Sequence, residues 1–322
     1  MRRREFVGLL GGAAAAWPLR ARAQTYPTQP LKLIVPFGAG GSLDVLARLV
    51  GEQLSRNLGQ PVVIENRTGA AGNLAAEAVA RADADGHTLL TVVTSFAVNA
   101  TLYAHLRFDP RKDFLPVAMF GATQNILVAN PQFPARTVGE LIARAKSQPG
   151  KIDYASVGVG TSGHLTMELL KTMAGIDLAH VPYRSASQEI TDLISGVVPL
   201  AMPTIPGVTG QIETGKLRAL AVSGSRRSAN LPAVPTMAEA GVPGYEATTW
   251  YALLAPAGVR SDIATRLNTE IGRILADPVV IEKLSKQGIE PMTMSPQQLA
   301  GYMTSEIDKW SAVVRAANIK VE

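Results

Sequence analysis

The sequence contains no cysteine among its 322 residues. This absence excludes disulfide bonds, thiolate metal sites and a cysteine nucleophile. It does not argue against an exported protein, because a chain of this length can bury enough apolar surface without covalent cross-links. Aromatic residues make up only 5% of the chain, so we do not expect the stacking platforms that bind single-stranded nucleic acid.

A large net charge is also missing once the N-terminal segment is set aside. The whole chain has 31 basic and 26 acidic residues, and residues 1–23 contribute five arginines and one glutamate. The 26 basic and 25 acidic residues that remain nearly balance. We therefore expect no nucleic-acid partner.

Residues 1–23 have the pattern of a secretory signal peptide. Three arginines at 2–4 precede an apolar run rich in alanine and glycine, and Ala21-Arg22-Ala23 precedes Gln24. The arginine pair followed by Glu5-Phe6-Val7 also fits a twin-arginine signal. An amphipathic N-terminal helix of a cytosolic protein is the less favoured alternative. No later segment approaches the ~18 apolar residues of a membrane helix, so we expect export, by the twin-arginine or the general route, and cleavage near Ala23.

The order of short apolar runs and amphipathic segments predicts an α/β fold. About 300 residues after the leader exceed one ordinary core, which favours two lobes. The first part of the chain has a βαβαβ pattern, which is typical of a parallel sheet with helices on both faces. We expect residues 24–124 and 246–322 to form lobe 1 and residues 125–245 to form lobe 2. Each lobe is predicted to hold a mixed, mostly parallel sheet, and two hinge crossings would make the molecule a clamshell.

Two matched glycine turns are the strongest functional signal in the sequence. Each has the pattern Gly-x-Gly-x-Ser, and each stands between a predicted strand and a predicted helix: Gly38-Ala39-Gly40-Gly41-Ser42 and Gly158-Val159-Gly160-Thr161-Ser162. We expect Ser42 to cap the first of these helices. Such turns aim backbone N–H groups and the positive end of a helix dipole at one point, where they favour an anion. The alternative is that the glycines only tighten the two turns.

The composition of the first turn favours a carboxylate over a phosphate. No Gly-Lys-Ser/Thr follows it, so it is not a Walker-type phosphate loop, and the third glycine of the dinucleotide fingerprint is missing. Asp44 in the first helical turn either complements the helix dipole or holds a ligand amine or a water. His164 either binds a carboxylate or caps its own loop.

The sequence offers no convincing catalytic or metal-binding group. His87, His105 and His180 are scattered without the spacing of metal ligands. No nucleophile elbow or Ser-x-x-Lys motif is present. We therefore expect a binding protein without catalytic residues, metal or cofactor.

The chain resembles the Bug family, the extracytoplasmic solute receptors of tripartite tricarboxylate transporters. Nearly the whole chain after the leader carries the resemblance. Its most specific segments are Val35-Pro36-Phe37-Gly38-Ala39-Gly40-Gly41, Val63-Ile64-Glu65-Asn66-Arg67, Gly163-His164-Leu165 and His180-Val181-Pro182-Tyr183-Arg184. It departs from the family where Ser185 follows Arg184 and where Pro199 and Pro203 replace acidic residues, which leaves the identity of the ligand open.

The resemblance implies a type II-like periplasmic binding protein that closes on a small carboxylate. It also implies the membrane subunits of a tripartite transporter as partners, and we expect a monomer. The expected ligand-binding residues are Phe37, Gly38, Ala39, Gly40, Gly41, Ser42, Asp44, Thr94, Ser95, Asn99, Gly160, Thr161, Ser162, His164, Tyr183 and Thr204. An exported sensor that feeds a signalling partner is the main alternative, and an exported enzyme that uses the same cleft is a weaker one.

Overall fold

The structure is a computed structural model that describes residues 26–320. The predicted signal peptide, residues 1–23, lies outside the described residues. Within the described range, no helix is both long and apolar enough to cross a membrane.

Strands and helices alternate along most of the chain. The strands are β1 Leu31–Val35, β2 Val62–Asn66, β3 Thr88–Val93, β4 Phe114–Gln124, β5 Ile126–Ala129, β6 Asp153–Ser156, β7 Ala179–Pro182, β8 Leu200–Ala201, β9 Arg218–Val222, β10 Thr248–Pro256 and β11 Glu290–Pro291. The α-helices are α1 Ser42–Leu58, α2 Asn73–Ala80, α3 Ser95–Leu102, α4 Val138–Ser147, α5 Ser162–Ala174, α6 Ala186–Ser195, α7 Ile205–Glu213, α8 Ser261–Leu275, α9 Pro278–Lys286 and α10 Pro296–Ala316.

The strands form two sheets. The six-stranded sheet has the order β11-β4-β10-β3-β1-β2, and the five-stranded sheet has the order β7-β6-β8-β5-β9. With their flanking helices, the two mixed sheets make the two-lobed α/β fold that the sequence predicted.

Parallel pairs do not predominate in either sheet, contrary to the prediction. In the larger sheet β1 is parallel to β2 and β3, whereas β10 is antiparallel to both β3 and β4. In the smaller sheet β6 is parallel to β7 and β8, whereas β5 is antiparallel to β8 and β9. In each sheet, one strand next to a crossing, β10 or β5, runs against the βαβ units and is antiparallel to both of its neighbours.

The chain passes between the sheets twice, and the two crossings lie side by side. The first is the short step from β4 to β5 at Asn125, and the second is the segment from β9 to β10. Asn125 N–H donates to Ser223 Oγ (2.9 Å), and Ala247 N–H donates to Ser223 O (2.8 Å). These bonds join the two crossings at a point where Asn125 and Ser223 are fully buried.

Strand β10 shows why both faces of the larger sheet must be covered. Trp250, Ala252 and Leu254 belong to one buried cluster, and the alternate residues Tyr251 and Leu253 belong to another. This period of two places apolar side chains on both faces of the sheet. The C-terminal helix α10 covers one of these faces and also contacts α3 and α5, so it touches both lobes.

Candidate functional site

The two glycine turns share the backbone geometry of the two residues that precede each helix. The N-cap of α1 is Gly41 and the N-cap of α5 is Thr161, and both have extended backbone angles. Ser42, predicted as a cap, is instead the first helical residue, because Gly41 already has the extended conformation of a cap. The residues before the caps, Gly40 and Gly160, have φ values of +88° and +78°, a region that favours glycine.

The third residue of each helix bonds back to its own turn. Gly40 N–H donates to Asp44 Oδ2 (2.9 Å), and Gly160 N–H donates to His164 Nδ1 (3.3 Å). Asp44 is 3% exposed and His164 is 5% exposed. For His164 this geometry favours the capping role that the sequence left open. Asp44 has a role that the sequence did not predict, because its carboxylate supports the first turn.

Asp44 lies in a network that holds it ionised. Arg48 donates to both carboxylate oxygens (3.0 and 2.9 Å), and Asn66 Nδ2 donates to Oδ1 (2.9 Å). The hydrogen bonds from Arg48, aided by those from Gly40 and Asn66, lower the pKa of Asp44 to about 2. Asn66 also donates to Phe37 O (2.9 Å), so the network fixes both ends of the first turn.

His164 lies in a buried aromatic and polar cluster behind the second turn. Its ring centroid is 4.2 Å from that of His180, whose Nε2 is 2.7 Å from Ser156 Oγ. Burial lowers the pKa of His164 to about 3, and the nearby His180 and Lys171 act in the same direction. The neutral imidazole is therefore the form that accepts the bond from Gly160.

A cavity of about 290 Å³ lies between the lobes, close to these turns. Its size is near the lower end of the range for small-molecule sites, roughly 300–1,000 Å³. It is lined by Phe37, Ala71, Val93, Thr94, Ser95, Val159, Gly160, Thr161, Ser162, Leu165, Thr166, Thr248, Thr249 and Trp310. None of these described lining residues has a charged side chain, so its polar groups are hydroxyls and backbone atoms.

Several lining hydroxyls are engaged by the protein itself. Thr94 Oγ1 donates to Thr248 O (3.1 Å) and accepts from Trp250 N–H (3.0 Å), which ties the end of β3 to β10. Thr161 Oγ1 donates to Gly158 O (2.7 Å). Ser162 Oγ instead accepts a long bond from Asn125 Nδ2 (3.4 Å), so its own proton is available to a ligand.

The loop at 69–72, which contributes Ala71 to the cavity wall, has unusual backbone angles. Ala70 and Ala71 have φ values of +46° and +52°, which non-glycine residues adopt at a cost. Asn99 Nδ2 supports this loop by donating to Ala71 O (3.0 Å) and to Asn73 Oδ1 (2.9 Å). Such strain is common where a binding site fixes a backbone, and Ala71 lines the cavity.

A buried carboxylate lies behind the aromatic part of the wall. Glu306 Oε2 accepts from the indole N–H of Trp250 (2.9 Å) and from that of Trp310 (3.0 Å). Glu306 is 4% exposed, and Lys309 pairs with its other oxygen. This arrangement fixes the orientation of Trp310 at the cavity.

The structure brings only part of the predicted set to the cavity. The predicted residues that line it are Phe37, Thr94, Ser95, Gly160, Thr161 and Ser162. The residues at 38–42 form the exposed first turn. The side chains of Asp44, Asn99 and His164 form hydrogen bonds with backbone atoms of the neighbouring loops. That these residues contact the ligand remains a prediction.

Tyr183 and Thr204 lie elsewhere in lobe 2. Tyr183 N–H donates to Ser156 O (2.8 Å), and its partly buried side chain packs against the core of this lobe. Burial raises its pKa to about 12, and a hydrogen bond to Asp192 acts in the same direction. Thr204 is the N-cap of α7 and forms a bridge with Asn125. Neither residue lines the cavity, because each is used to attach an element of lobe 2.

The prediction missed a second group of lining residues. They are Ala71, Val93, Val159, Leu165, Thr166, Thr248, Thr249 and Trp310. Val159 lies inside the second glycine turn, and Ala71 lies in a small-residue loop, so both had a local signal. Thr248, Thr249 and Trp310 come from the C-terminal part of the chain and had none.

Comparisons with known proteins agree with this architecture. The profile of the "Tripartite tricarboxylate transporter family receptor" matches residues 46–319. The chain is 39% identical to protein BugT of Bordetella pertussis over 302 residues, 93% of each chain. R. palustris Rpa4515 with adipate superposes with a TM-score of 0.76 at 38% identity, covering 92% of this chain and 99% of that one. MatC of Rhodopseudomonas palustris with bound malate has a TM-score of 0.73 at 32% identity, covering 90% and 100%.

Two α/β lobes with an uncharged cavity between them define a solute-binding protein of the periplasmic type. Within that class, the chain belongs to the tripartite tricarboxylate transporter receptor family, which includes the Bug proteins. This confirms the resemblance read from the sequence.

Proposed function

We propose that this chain is a periplasmic receptor that closes its two lobes on a small organic carboxylate. The observation that carries the proposal is the interlobe cavity, which offers hydroxyls and helix N-termini and has no charged lining residue. Neutral donors and helix dipoles suit a single carboxylate, whereas a phosphate dianion normally calls for cationic side chains as well. The relatives solved with adipate and malate support the same ligand class.

Closure would use the two crossings as a hinge. Residues 24–124 and 246–322 would move as one lobe and residues 125–245 as the other. The hydrogen bonds among Asn125, Ser223 and Ala247 keep the crossings together, so they support rotation about one short axis. A ligand that contacts both lobes shifts the population toward the closed state.

Binding and delivery fit the site better than catalysis does. Asp44 and His164, the acid–base candidates of the sequence, have their side chains turned to Gly40 and Gly160. The family places such receptors with the membrane subunits of a transporter. We therefore propose delivery of the ligand to these subunits from the periplasm, after removal of residues 1–23.

Thermal denaturation of the purified protein tests the binding step. Adipate, malate and benzoate would be compared with adipamide and with a neutral sugar. A carboxylate at 100 times its Kd stabilises the folded state by about 2.7 kcal/mol, which raises Tm by several degrees in a protein of this size. The proposal fails if no carboxylate raises Tm and the sugar does.

Ser162→Ala tests the site, with Ser261→Ala as the matched control. Both serines are the first residue of a helix, but only Ser162 lines the cavity. Loss of a hydroxyl that donates to a carboxylate should weaken binding roughly tenfold, and Ser261→Ala should leave Kd unchanged. Uptake of the labelled ligand by cells with and without the gene then tests delivery.

A further inference from the structure

The cavity wall is apolar over much of its area. Phe37 and Val93 contribute from lobe 1, Val159 and Leu165 from lobe 2, and Trp310 from the C-terminal helix. Val159 is 47% exposed although it lies in a turn that faces the cavity. Such exposed apolar surface is expected to be covered when a site is filled.

Trp310 offers only carbon atoms to this space. Its single polar atom, the indole Nε1, donates to Glu306 Oε2 at 3.0 Å. Because Glu306 is buried and also accepts from Trp250, turning the indole N–H toward a ligand would leave a buried acceptor with one bond fewer. The indole is thus held as an apolar surface.

Most of the threonine hydroxyls are likewise turned away from a ligand. Thr94 donates to Thr248 O of β10, Thr161 donates to Gly158 O of its own turn, and Thr166 donates to Ser162 O (2.7 Å). In the described part of the chain, Thr249 Oγ1 has no hydrogen-bond partner. With Ser162, it can donate to a carboxylate, and Ser95 and Thr248 are the other lining residues that carry a hydroxyl.

We propose that the ligand is a carboxylate whose body is an unsubstituted aliphatic chain or aromatic ring. This inference rests on the proposed function and narrows it. A hydroxyl or amine on the body of the ligand would meet Phe37, Leu165 or Trp310 and lose its bonds to water without replacement. The wall therefore selects against hydroxy acids and amino acids of the same length.

Matched ligand pairs test the inference by isothermal titration with the purified protein. Hexanoate is compared with 3-hydroxyhexanoate, and adipate with 3-hydroxyadipate; benzoate and hexanamide complete the set. We expect at least one unsubstituted carboxylate to bind, and about tenfold more tightly than its hydroxylated partner.

The possible failures are distinguishable. Equal or tighter binding of the hydroxylated members overturns the apolar-body inference and leaves the carboxylate receptor intact. Equal binding of hexanamide and hexanoate, or no binding by any carboxylate, overturns the proposed function as well.

Two valines of one loop provide a matched pair of variants. Val159 lines the cavity, whereas Val157, 39% exposed and two residues earlier, does not. Val159→Ser should weaken binding of the unsubstituted carboxylate about fivefold. It should also reduce the ratio between the Kd values of the hydroxylated and the unsubstituted ligand. Val157→Ser should change neither value. Identical Kd values for both variants and the unchanged protein would overturn the role of the wall.

Discussion

Asp44 and His164 occupy the same position, the third residue of a helix, and each accepts a hydrogen bond from the N–H of the glycine four residues earlier. The two side chains differ in charge, yet they hold the same turn in the two lobes. The equivalence explains why Gly40 and Gly160 both adopt positive φ. An ionised carboxylate accepts the hydrogen bond in the first turn, and a neutral imidazole accepts it in the second.

Replacing Asp44 by alanine should destabilise the fold. The change removes the acceptor for Gly40, Arg48 and Asn66 at a site that is 3% exposed. Leaving such groups without a partner costs about 2–4 kcal/mol, which urea denaturation measures. Asp262→Ala is the control: Asp262 also stands in a first helical turn, but it is exposed and pairs only with Arg260. Equal losses in both variants would refute the role assigned to Asp44.

The stability of the protein should fall on mild acidification. In the unfolded chain His164 titrates near pH 6.5, whereas in the folded protein its pKa is about 3, and the pKa of His180 is lowered in the same direction. The unfolded state therefore binds more protons between pH 6.5 and 3. The free energy of unfolding should decrease there by up to about 1.4 kcal/mol per pH unit from His164 alone, and the lowered pKa of His180 acts in the same direction.

Substitutions of histidine check this pH dependence. His164→Asn keeps an acceptor for Gly160 but removes the titrating ring, so it should flatten the slope measured by urea denaturation from pH 7 to pH 4.5. His105→Gln removes an exposed histidine and should keep the slope of the unchanged protein. A His164→Asn variant with an unchanged slope would show that the acid sensitivity has another origin.

A methyl group at Gly160 should weaken ligand binding. Its Cβ would lie 3.2 Å from Leu102 Cδ2, which belongs to the opposite lobe. Gly175 also has a positive φ but open space around it. Both alanine variants should lose about 1 kcal/mol of stability from the backbone alone, whereas only Gly160→Ala should raise Kd, by several-fold. Equal Kd values in titrations of the two variants would argue against close approach of the lobes here.

Trp310 should report on ligand occupancy by fluorescence. It lines the cavity, whereas Trp250 lies behind it, and both donate to Glu306. Because each substitution removes one donor to the same carboxylate, Trp250→Phe and Trp310→Phe are matched perturbations. We expect a saturable change in emission with a bound carboxylate, kept in Trp250→Phe and lost in Trp310→Phe. The reverse pattern would place the ligand elsewhere.

Local patterns were sufficient to predict the helices and the glycine turns. The amphipathic patterns predict helices over 261–275 and 278–286, which are the bounds of α8 and α9 in the structure, because the apolar spacing and start signals of each are contained within one element. The positive φ of Gly40 and Gly160 could be predicted because glycine has no Cβ and adopts this conformation readily. For the same reason, two of the cavity's polar groups, Thr161 and Ser162, were found from the sequence.

Strand ends near prolines were less predictable. Strand β4 begins at Phe114, whereas the polar residues 107–116 predict an irregular segment that ends before a strand at 117. Pro116 is tolerated within it because the register shifts beside its partner Leu254. Strand β8 is limited to two residues between Pro199 and Pro203, whereas the apolar run at 197–202 predicts a longer strand.

The far wall of the cavity had no local signal at all. Thr248, Thr249 and Trp310 are more than 80 residues from the second glycine turn along the chain, and they reach it only through tertiary packing. A threonine pair at the start of a strand and a tryptophan on an amphipathic helix are both ordinary features of a core. Their role follows from the tertiary fold, because β10 begins just after the second crossing and α10 contacts both lobes.

The position of β10 also has a consequence for how the chain acquires its structure. Strands β3 and β4 are not neighbours, because β10 lies between them and pairs with both. The larger sheet therefore stays in two pieces until residues 248–256 arrive, while the strands of the smaller sheet all come from one continuous stretch. Early contacts in the smaller sheet close shorter loops. We expect this sheet to form first as the polypeptide emerges, and the ligand cavity to be completed last.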